Sequence, residues 1–160
     1  MIITLTGFMG CGKSRVGREL ATITGFTFLD LDRVVTARAG RSIREIFEEG
    51  EARFREIELE CLEDCLRQDN LVLALGGGTI TVPRAMEMIL GRSVCVFLKA
   101  DMETILERVG RNRNNRPLFD ESAAELYRNR LPLYSRAHFT VVTDSRTPES
   151  IAMEIRDLVR

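Results

Sequence analysis

The fold of this chain is decided near its N-terminus by the stretch Ile2-Ile3-Thr4-Leu5-Thr6-Gly7-Phe8-Met9-Gly10-Cys11-Gly12-Lys13-Ser14. Its first five residues form a short apolar run that predicts a buried β-strand, and a helical pattern follows at 13–23. Between them, Gly7 to Ser14 match G-x-x-x-x-G-K-[ST] in the strand-then-helix setting that this motif requires. The sequence therefore predicts a phosphate-binding loop inside an α/β domain.

Each residue type in this loop has a physical task. Glycines let the backbone turn its N–H groups towards phosphates, and the start of the following helix adds its positive end. Lys13 supplies a charge for the β- and γ-phosphates, and Ser14 supplies a hydroxyl for Mg²⁺. Only two of the 23 Lys and Arg residues are lysines, so Lys13 does not reflect a lysine-rich composition. We therefore predict nucleoside triphosphate binding over the alternative of a glycine-rich turn that binds nothing.

The rest of the chain alternates short apolar runs with helical patterns, which is typical of βαβ units around a mostly parallel sheet. Helices are predicted at 51–68, where apolar residues recur at three and four, and from Asp101 as cap to Val109. A last helix is predicted from Pro148 to Leu158. The predicted strands are Ile2–Thr6, Thr27–Leu29, Leu71–Leu75, Val94–Leu98 and His138–Val142.

Length and composition exclude several classes of protein. A chain of 160 residues predicts one domain, and a net charge of -1 gives no basic field for nucleic acid. The four cysteines match neither a zinc knuckle nor a disulfide framework, which favours reduced thiols. No targeting leader precedes Gly7, and no run approaches the ~20 apolar residues of a membrane span. We therefore expect a cytoplasmic protein that binds neither nucleic acid nor a membrane.

Two classes of P-loop protein compete at this point, a small-molecule phosphotransferase and a GTPase-like switch. A switch should carry an aspartate after its third strand, but the strand at 71–75 ends in Gly76-Gly77-Gly78. It should also carry a polar residue before Lys-x-Asp, where Leu98 stands before Lys99. The switch is therefore disfavoured.

Two carboxylates follow the second predicted strand, and three glycines follow the predicted strand at 71–75. Because the carboxyl ends of strands line the ligand crevice of an open α/β sheet, Asp30 and Asp32 should lie near the phosphates. One can hold the Mg²⁺ shell and the other can meet a substrate hydroxyl, whereas the alternative makes Asp32 a helix N-cap. Gly76-Gly77-Gly78 would let the backbone approach an anion closely and offer it N–H groups.

Taken together, six segments in this order resemble the shikimate kinase family, and they cover nearly the whole chain. They are the P-loop, Asp30-Leu31-Asp32, Phe54-Arg55-Glu56-Ile57-Glu58, Leu75-Gly76-Gly77-Gly78, Arg116-Pro117-Leu118 and Arg130-Leu131-Pro132-Leu133-Tyr134. The resemblance implies a three-layer α/β P-loop kinase fold, with a five-stranded parallel sheet flanked by helices. It implies one kinase domain over 1–160, with a core at 1–109 and 121–160, a mobile lid at about 110–120 and a shikimate-binding helical region at about 33–60.

The same resemblance implies an activity and a set of site residues. The activity is transfer of the γ-phosphoryl group of ATP to the 3-hydroxyl of shikimate, by a monomer with one Mg²⁺, in the chorismate pathway to aromatic amino acids. The implied catalytic residues are Asp32, Arg116 and Lys13. The implied ATP-binding residues are Gly10, Cys11, Gly12, Lys13, Ser14, Arg15, Arg108, Arg116 and Arg146. The implied shikimate-binding residues are Asp32, Arg55, Gly76, Gly77, Gly78 and Arg130, and the implied metal ligands are Ser14 and Asp30.

For the arginines, the role expected from sequence position differs from the role that the resemblance implies. By position alone, Arg55 and Arg130 would be ordinary exposed ion-pair partners. The resemblance instead implies that their planar forks grip the shikimate carboxylate. It also implies that Arg116 reaches the transferred phosphoryl group from the lid, that Arg108 stacks on adenine and that Arg146 borders the base. A basic RNA-binding loop, the alternative for the lid, would need more aromatic partners than Phe119.

Some features depart from the family pattern or leave alternatives open. Arg15 stands where a small hydroxyl residue is common, and Cys11 is either an oxidation-sensitive thiol or a small filler. Cys61 and Cys65 share a helix face, which favours burial over metal binding. The alternatives for function are another kinase of this fold, acting on gluconate or a nucleotide, and a nucleotide-dependent binding protein with little turnover.

Overall fold

A computed structural model of the protein describes residues 1–105 and 121–160. Its strands are β1 (Ile2–Thr6), β2 (Thr27–Asp30), β3 (Leu71–Ala74), β4 (Val94–Lys99) and β5 (Phe139–Val142). They form one sheet in the order β2-β3-β1-β4-β5, and every neighbouring pair is parallel. The predicted five-stranded parallel sheet is confirmed, and each strand boundary lies within one residue of its prediction.

Helices connect these strands on both sides of the sheet. They are α1 (Lys13–Thr24), α2 (Leu31–Ala39), α3 (Ile43–Glu48), α4 (Glu51–Cys65), α5 (Pro83–Arg92), α6 (Glu121–Tyr134) and α7 (Pro148–Val159). A short 3₁₀ turn spans Thr79–Thr81, and residues 102–105 are helical. Within the described residues, no helix combines the length and apolar character that crossing a membrane requires.

The core has two layers, one on each face of the sheet. Alternating residues of β4 show this, because Phe97 packs with α4, α5 and α6 while Val96 packs with α1 and α7. Strands that are covered on both faces read as continuous apolar runs, which is how the sequence predicted them. The predicted three-layer architecture is therefore confirmed.

One helix ends earlier than the sequence predicts, and one predicted cap is present. The helix predicted over 51–68 ends at Cys65, because the next backbone bonds reach only three residues back, from Arg67 to Asp64 at 3.2 Å and from Gln68 to Cys65 at 3.1 Å. The chain then turns through Asn70, which has a φ of 52°. Asparagine tolerates that left-handed conformation, and here it leads into β3. The Asp101 cap is confirmed, since its carboxylate accepts the N–H of Thr104 at 2.7 Å. The predicted end of that helix at Val109 lies outside the described residues.

One glycine allows α1 to pack closely against the edge strand β2. A Cβ built on Gly17 would collide with the ring of Phe28, which lies under the Arg18 guanidinium. Gly91, also helical, has no such neighbour within 4 Å. The first glycine is therefore required by packing and the second is not.

We expect Gly17→Ala to lower the free energy of unfolding by about 1 kcal/mol, because overpacking costs about 1–3 kcal/mol and the gain in helix propensity returns about 1 kcal/mol. The matched control Gly91→Ala should raise it by about 0.5 kcal/mol. Urea unfolding of both variants measures the difference. Equal effects at the two positions would contradict the close packing of α1 on β2.

Candidate active site

Three loops meet at the carboxyl edge of the sheet because their strands are neighbours. β1 leads into the P-loop, β3 into the triglycine turn at 76–78, and β2 into Asp30 and Asp32. The register places Leu5 and Asp30 on either side of Ala74, so the three strands end at nearly the same level. This edge is where ligands bind in open α/β sheets.

The P-loop backbone has the left-handed conformations that its glycines were expected to supply. Gly10 has a φ of 81° and Gly12, which caps α1, a φ of 91°. Lys13 folds back over the loop, where its Nζ donates to the carbonyl oxygens of Gly7 at 2.7 Å and Phe8 at 3.2 Å. The ammonium group is thus held beside the loop that would receive the phosphates.

The two residues that depart from the family pattern take different places. Arg15 is exposed on α1, and Cys11 is buried. A Cβ built on Gly7 would lie 2.8 Å from the Cys11 sulfur and 2.8 Å from the Leu98 carbonyl oxygen. Cys11 therefore fills the space that the absent side chain of Gly7 leaves.

Asp30 joins the start of α1 to the start of α2. Its Oδ2 accepts the hydroxyl of Ser14 at 3.0 Å, and its Oδ1 accepts the backbone N–H of Asp32 at 3.0 Å. Asp30 is the N-cap of α2, so the alternative that made Asp32 the cap is wrong. The reason is that the helix begins at Leu31, two residues earlier than the Arg33 start assumed in that alternative.

The triglycine turn is faced by the two arginines that the resemblance selected. A Cβ built on Gly78 would lie 2.9 Å from Nη2 of Arg130 and 3.2 Å from Cζ of Arg55. The Arg55 side chain is only 16% exposed, so the expectation from position alone, a solvated ion pair, is wrong. Two guanidinium groups therefore converge where no side chain can stand between them.

The backbone of the same turn offers hydrogen-bond donors. Within residues 1–105 and 121–160, the backbone N–H groups of Gly77 and Gly78 have no protein acceptor. A Cβ built on Gly77 would lie 3.8 Å from the backbone nitrogen of Met9 and 3.9 Å from the Gly7 carbonyl oxygen. The turn thus runs directly against the P-loop, with guanidinium groups and backbone donors on one anion-sized surface.

A buried carboxylate supports this surface from α4. Glu58 accepts Nη1 of Arg55 at 2.8 Å and the hydroxyl of Thr79 at 2.9 Å, and its side chain is 3% exposed. Burial raises the pKa of Glu58, although the charge of Arg55 and the bonds from Arg55 and Thr79 lower it. The ion pair fixes the direction in which Arg55 points.

Asp32 lies at the same corner. A Cβ built on Gly76 would be 3.1 Å from Oδ1 of Asp32 and 3.2 Å from Oε2 of Glu58. The charge of Asp32 also contributes to the raised pKa of Glu58. Gly76 therefore leaves room for two carboxylates to approach each other beside the arginines.

Sequence reasoning assigned no role to Glu58, Thr79 or the tyrosines of α6. Position 58 lies on the apolar stripe of α4, four residues after Phe54 and three before Cys61, so its burial was readable from helical spacing. Tyr134 donates its hydroxyl to the Gly77 carbonyl at 2.6 Å, and this contact joins elements 57 residues apart. Contacts of that kind leave no local signal in a sequence.

The remaining predicted residues lie elsewhere. Arg146 donates to the Val142 carbonyl at 3.0 Å and pairs with Glu154 at 3.2 Å, at the start of α7. The predicted lid at about 110–120 with Arg116, and the predicted adenine contact Arg108, lie outside the described residues.

The cysteine pair of α4 is buried, as its spacing predicted. Cys61 and Cys65 both lie in the core, and burial raises the pKa of Cys65 to about 11. Within the described part of the chain, no group of three or more His, Cys, Asp or Glu side chains could hold a metal ion. A metal ion at the P-loop would therefore need substrate oxygens as ligands in addition to Ser14 and Asp30.

A P-loop that lies beside a corner lined by two guanidinium groups and two carboxylates is typical of a P-loop kinase that acts on a small molecule. The family profile described as "Shikimate kinase" matches residues 9–160. The shikimate kinase of Thermus thermophilus is 46% identical in an alignment 159 residues long, which covers 96% of this chain and 86% of that protein. The chain belongs to the shikimate kinase family and is a phosphotransferase with an alcohol acceptor.

Solved structures agree with this assignment. The shikimate kinase from Acinetobacter baumannii in complex with shikimate has a TM-score of 0.90 at 37% identity, over 99% of this chain and 92% of that one. The shikimate kinase from Bacteroides thetaiotaomicron has a TM-score of 0.92 at 27% identity, over 99% of this chain and 98% of that one. The fold predicted from the resemblance is therefore the fold of the family.

The raised pKa of Glu58 leads to a prediction about stability. Because the folded-state pKa lies above the unfolded value of about 4.3, the contribution of this carboxyl to stability is complete below that value and is lost as the pH rises through the folded pKa. We expect the free energy of unfolding of the wild type, minus that of Glu58→Gln, to fall as the pH rises from about 4 to about 7.

Urea unfolding at several pH values measures this difference. Glu60→Gln, which removes an exposed carboxylate from the same helix, controls for the loss of one negative charge. A difference that stays constant or rises with pH would show that pairing with Arg55, rather than burial, dominates the ionisation of Glu58.

Proposed function

We propose that this chain transfers the γ-phosphoryl group of ATP to the 3-hydroxyl of shikimate, giving shikimate 3-phosphate and ADP. The observation that carries the proposal is the convergence of Arg55 and Arg130 on Gly78, next to Asp32 and the P-loop. Membership of the family implies ATP as co-substrate, and the relative from Acinetobacter baumannii is solved in complex with shikimate. The proposal extends to a monomeric, cytoplasmic enzyme, as the resemblance implies.

On the nucleotide side, the P-loop binds the triphosphate. Backbone N–H groups around Gly10 and Gly12 face the phosphates, and the N-terminus of α1 adds its positive end. Lys13 exchanges its bonds to loop carbonyls for bonds to the β- and γ-phosphates. Arg108 stacks on the adenine, Arg146 borders the base, and Arg15 lies at the outer end of the phosphate site.

The residues present fit a magnesium ion. Ser14 and Asp30 supply two hard oxygen ligands that already lie 3.0 Å apart, and Mg²⁺ is usually held by one or two carboxylates together with substrate phosphates. When bound, the ion neutralises charge that develops on the phosphate oxygens. The bond between Ser14 and Asp30 holds both oxygens on one side of the loop.

On the acceptor side, Arg55 and Arg130 bind the carboxylate of shikimate. Planar guanidinium forks pair with a carboxylate through two parallel bonds, and the N–H groups of Gly77 and Gly78 complete the surface. Glu58 keeps the Arg55 fork aimed at Gly78. The acceptor is thereby held by its carboxylate with its ring towards the P-loop.

Asp32 meets the hydroxyl that reacts. Its carboxylate accepts a hydrogen bond from the 3-hydroxyl, orients the oxygen towards the γ-phosphorus and holds the proton that this oxygen loses. The O3–Pγ bond forms as the bond between Pγ and the β,γ-bridging oxygen breaks, and ADP leaves. Arg116 stabilises the charge on the equatorial oxygens, as an arginine finger does.

The acceptor is tested by ADP release from purified protein with ATP and Mg²⁺. Shikimate, quinate, gluconate and AMP are offered separately at equal concentration. Shikimate should give the highest kcat/KM, because its carboxylate and hydroxyl match the arginine pair and Asp32. Release that is driven by gluconate or AMP, and not by shikimate, would overturn the acceptor assignment.

The role of Asp32 is separable from nucleotide binding. Asp32→Asn should lower kcat by about 10²–10⁴, because proton transfer to a positioned base contributes that much. ATP affinity in the presence of Mg²⁺, measured by calorimetry, should stay within about twofold. Asp30→Asn is the matched comparison and should weaken that affinity. Loss of nucleotide affinity in Asp32→Asn to the same extent would assign Asp32 to the metal instead.

The triglycine corner offers a further test of the acceptor site. Gly78 has a φ of −108°, which any residue adopts, so Gly78→Ala adds only a methyl group against the two arginines. We expect KM for shikimate to rise at least about tenfold, which is about 1.4 kcal/mol, with KM for ATP unchanged. Steady-state kinetics with Gly91→Ala as control measure this. An unaltered KM for shikimate would place the acceptor elsewhere.

A further inference from the structure

The helix α6 turns one face towards both halves of the site. Tyr127, Arg130 and Tyr134 are spaced by three and four residues, so they lie on the same side of the helix. Tyr127 contacts the P-loop residue Phe8, with ring centroids 5.1 Å apart, and donates its hydroxyl to the Ala100 carbonyl at 3.0 Å. Tyr134 instead contacts the triglycine turn.

Tyr134 is held rigidly by the core. Its side chain is fully buried, and its ring stacks on Phe97 with centroids 5.1 Å apart. The hydroxyl at the end of this ring donates to the Gly77 carbonyl at 2.6 Å. A stacked, buried ring has little freedom to move, so it presents the hydroxyl at a fixed position.

The carbonyl groups of the turn are satisfied in two different ways. Gly76 accepts the backbone N–H of Thr79 at 3.3 Å, and Gly78 accepts that of Thr81 at 3.0 Å, so both bonds stay within the turn. The Gly77 carbonyl is bound from outside, by Tyr134. Because C=O and N–H point in opposite directions across a trans peptide, this contact also sets the direction of the Gly78 N–H.

The Arg130 guanidinium lies beside the same peptide. A Cβ built on Gly77 would lie 3.5 Å from Nη1 of Arg130, and one built on Gly78 would lie 2.9 Å from its Nη2. Burial raises the pKa of Tyr134, and the nearby positive charge of Arg130 opposes that rise. The peptide that Tyr134 holds is therefore next to the arginine that faces the turn.

We propose that Tyr134 is a positioning residue for the carboxylate-binding surface, because its hydroxyl fixes the Gly77–Gly78 peptide in one arrangement beside the Arg130 guanidinium. This inference rests on the proposed function, in which both groups bind the acceptor carboxylate. Tyr134 does not touch the substrate in this scheme. It acts by keeping an arginine donor and a backbone donor aligned before the acceptor arrives.

Tyr134→Phe tests this role, since the ring keeps its stacking on Phe97 and loses only the hydroxyl. KM for shikimate should rise about tenfold, which corresponds to about 1.4 kcal/mol, while kcat changes less than about threefold. KM for ATP should stay within about twofold. The matched control is Tyr127→Phe, which removes a hydroxyl of the same helix that binds the Ala100 carbonyl, outside the triglycine turn. This variant should leave KM for shikimate within about twofold.

A second measurement distinguishes weaker shikimate binding from a general loss of stability in Tyr134→Phe. The increase in the free energy of unfolding that a fixed concentration of shikimate produces reports affinity through RT ln(1 + [L]/Kd), and it is read from the rise in Tm relative to the same variant without shikimate. It should be smaller in Tyr134→Phe than in the wild type and in Tyr127→Phe. An unchanged KM and an unchanged shikimate-induced shift, or equal rises in KM for ATP and shikimate, would make Tyr134 a purely structural residue. Failure of the acceptor assignment itself would instead appear in the wild type, which would not turn over shikimate.

Discussion

Parallel pairing of β1 with β3 is the constraint on which the site depends. The register sets Leu5 opposite Ala74, so the P-loop and the triglycine turn leave the sheet at the same level and run against each other. Gly77 brings no side chain to this contact, so its backbone can approach the P-loop backbone closely. The P-loop and the triglycine turn are therefore neighbours because of strand order, before any side chain contributes.

The charged group Glu58, which lies near this contact, is buried at a cost in desolvation free energy. Glu58 is buried, and its desolvation outweighs the favourable charge of Arg55, so the ion pair does not serve mainly to stabilise the fold. Buried ion pairs often contribute little net stability. Glu58 instead orients Arg55, because its bond at 2.8 Å to one nitrogen of the guanidinium restricts the long arginine side chain to one orientation. Direction is what a two-pronged contact with a carboxylate requires.

The sequence predicted the fold and most of the site because the signals were local. Apolar runs marked the strands within one residue, and the loop motif with its strand and helix marked the phosphate cradle. Strand position predicted that both Asp30 and Asp32 lie near the phosphates, and the resemblance assigned Asp30 to the metal together with Ser14, whose hydroxyl it accepts at 3.0 Å. The resemblance, rather than spacing, selected Arg55 and Arg130.

What the sequence missed depends on contacts between distant elements. Arg55 looked exposed because its helix carries many glutamates, and only the packing of α4 on the sheet shows that its side chain is mostly buried. Tyr134 read as part of a motif without a role, because its partner Gly77 is supplied by another layer of the fold. The N-cap of α2 was placed on Asp32 in one alternative, since a shift of two residues in a helix start leaves almost no trace in composition.

The wall between the two substrate sites has a consequence for how such an enzyme can change its specificity. A Cβ built on Gly77 would lie 3.8 Å from the Met9 nitrogen and 3.5 Å from Nη1 of Arg130, so one peptide separates the P-loop from the arginine-lined corner. A side chain longer than a methyl group at Gly77 would meet the P-loop backbone and the Arg130 guanidinium together. Evolution towards new acceptors is therefore constrained at this position, where a single substitution reaches both loops.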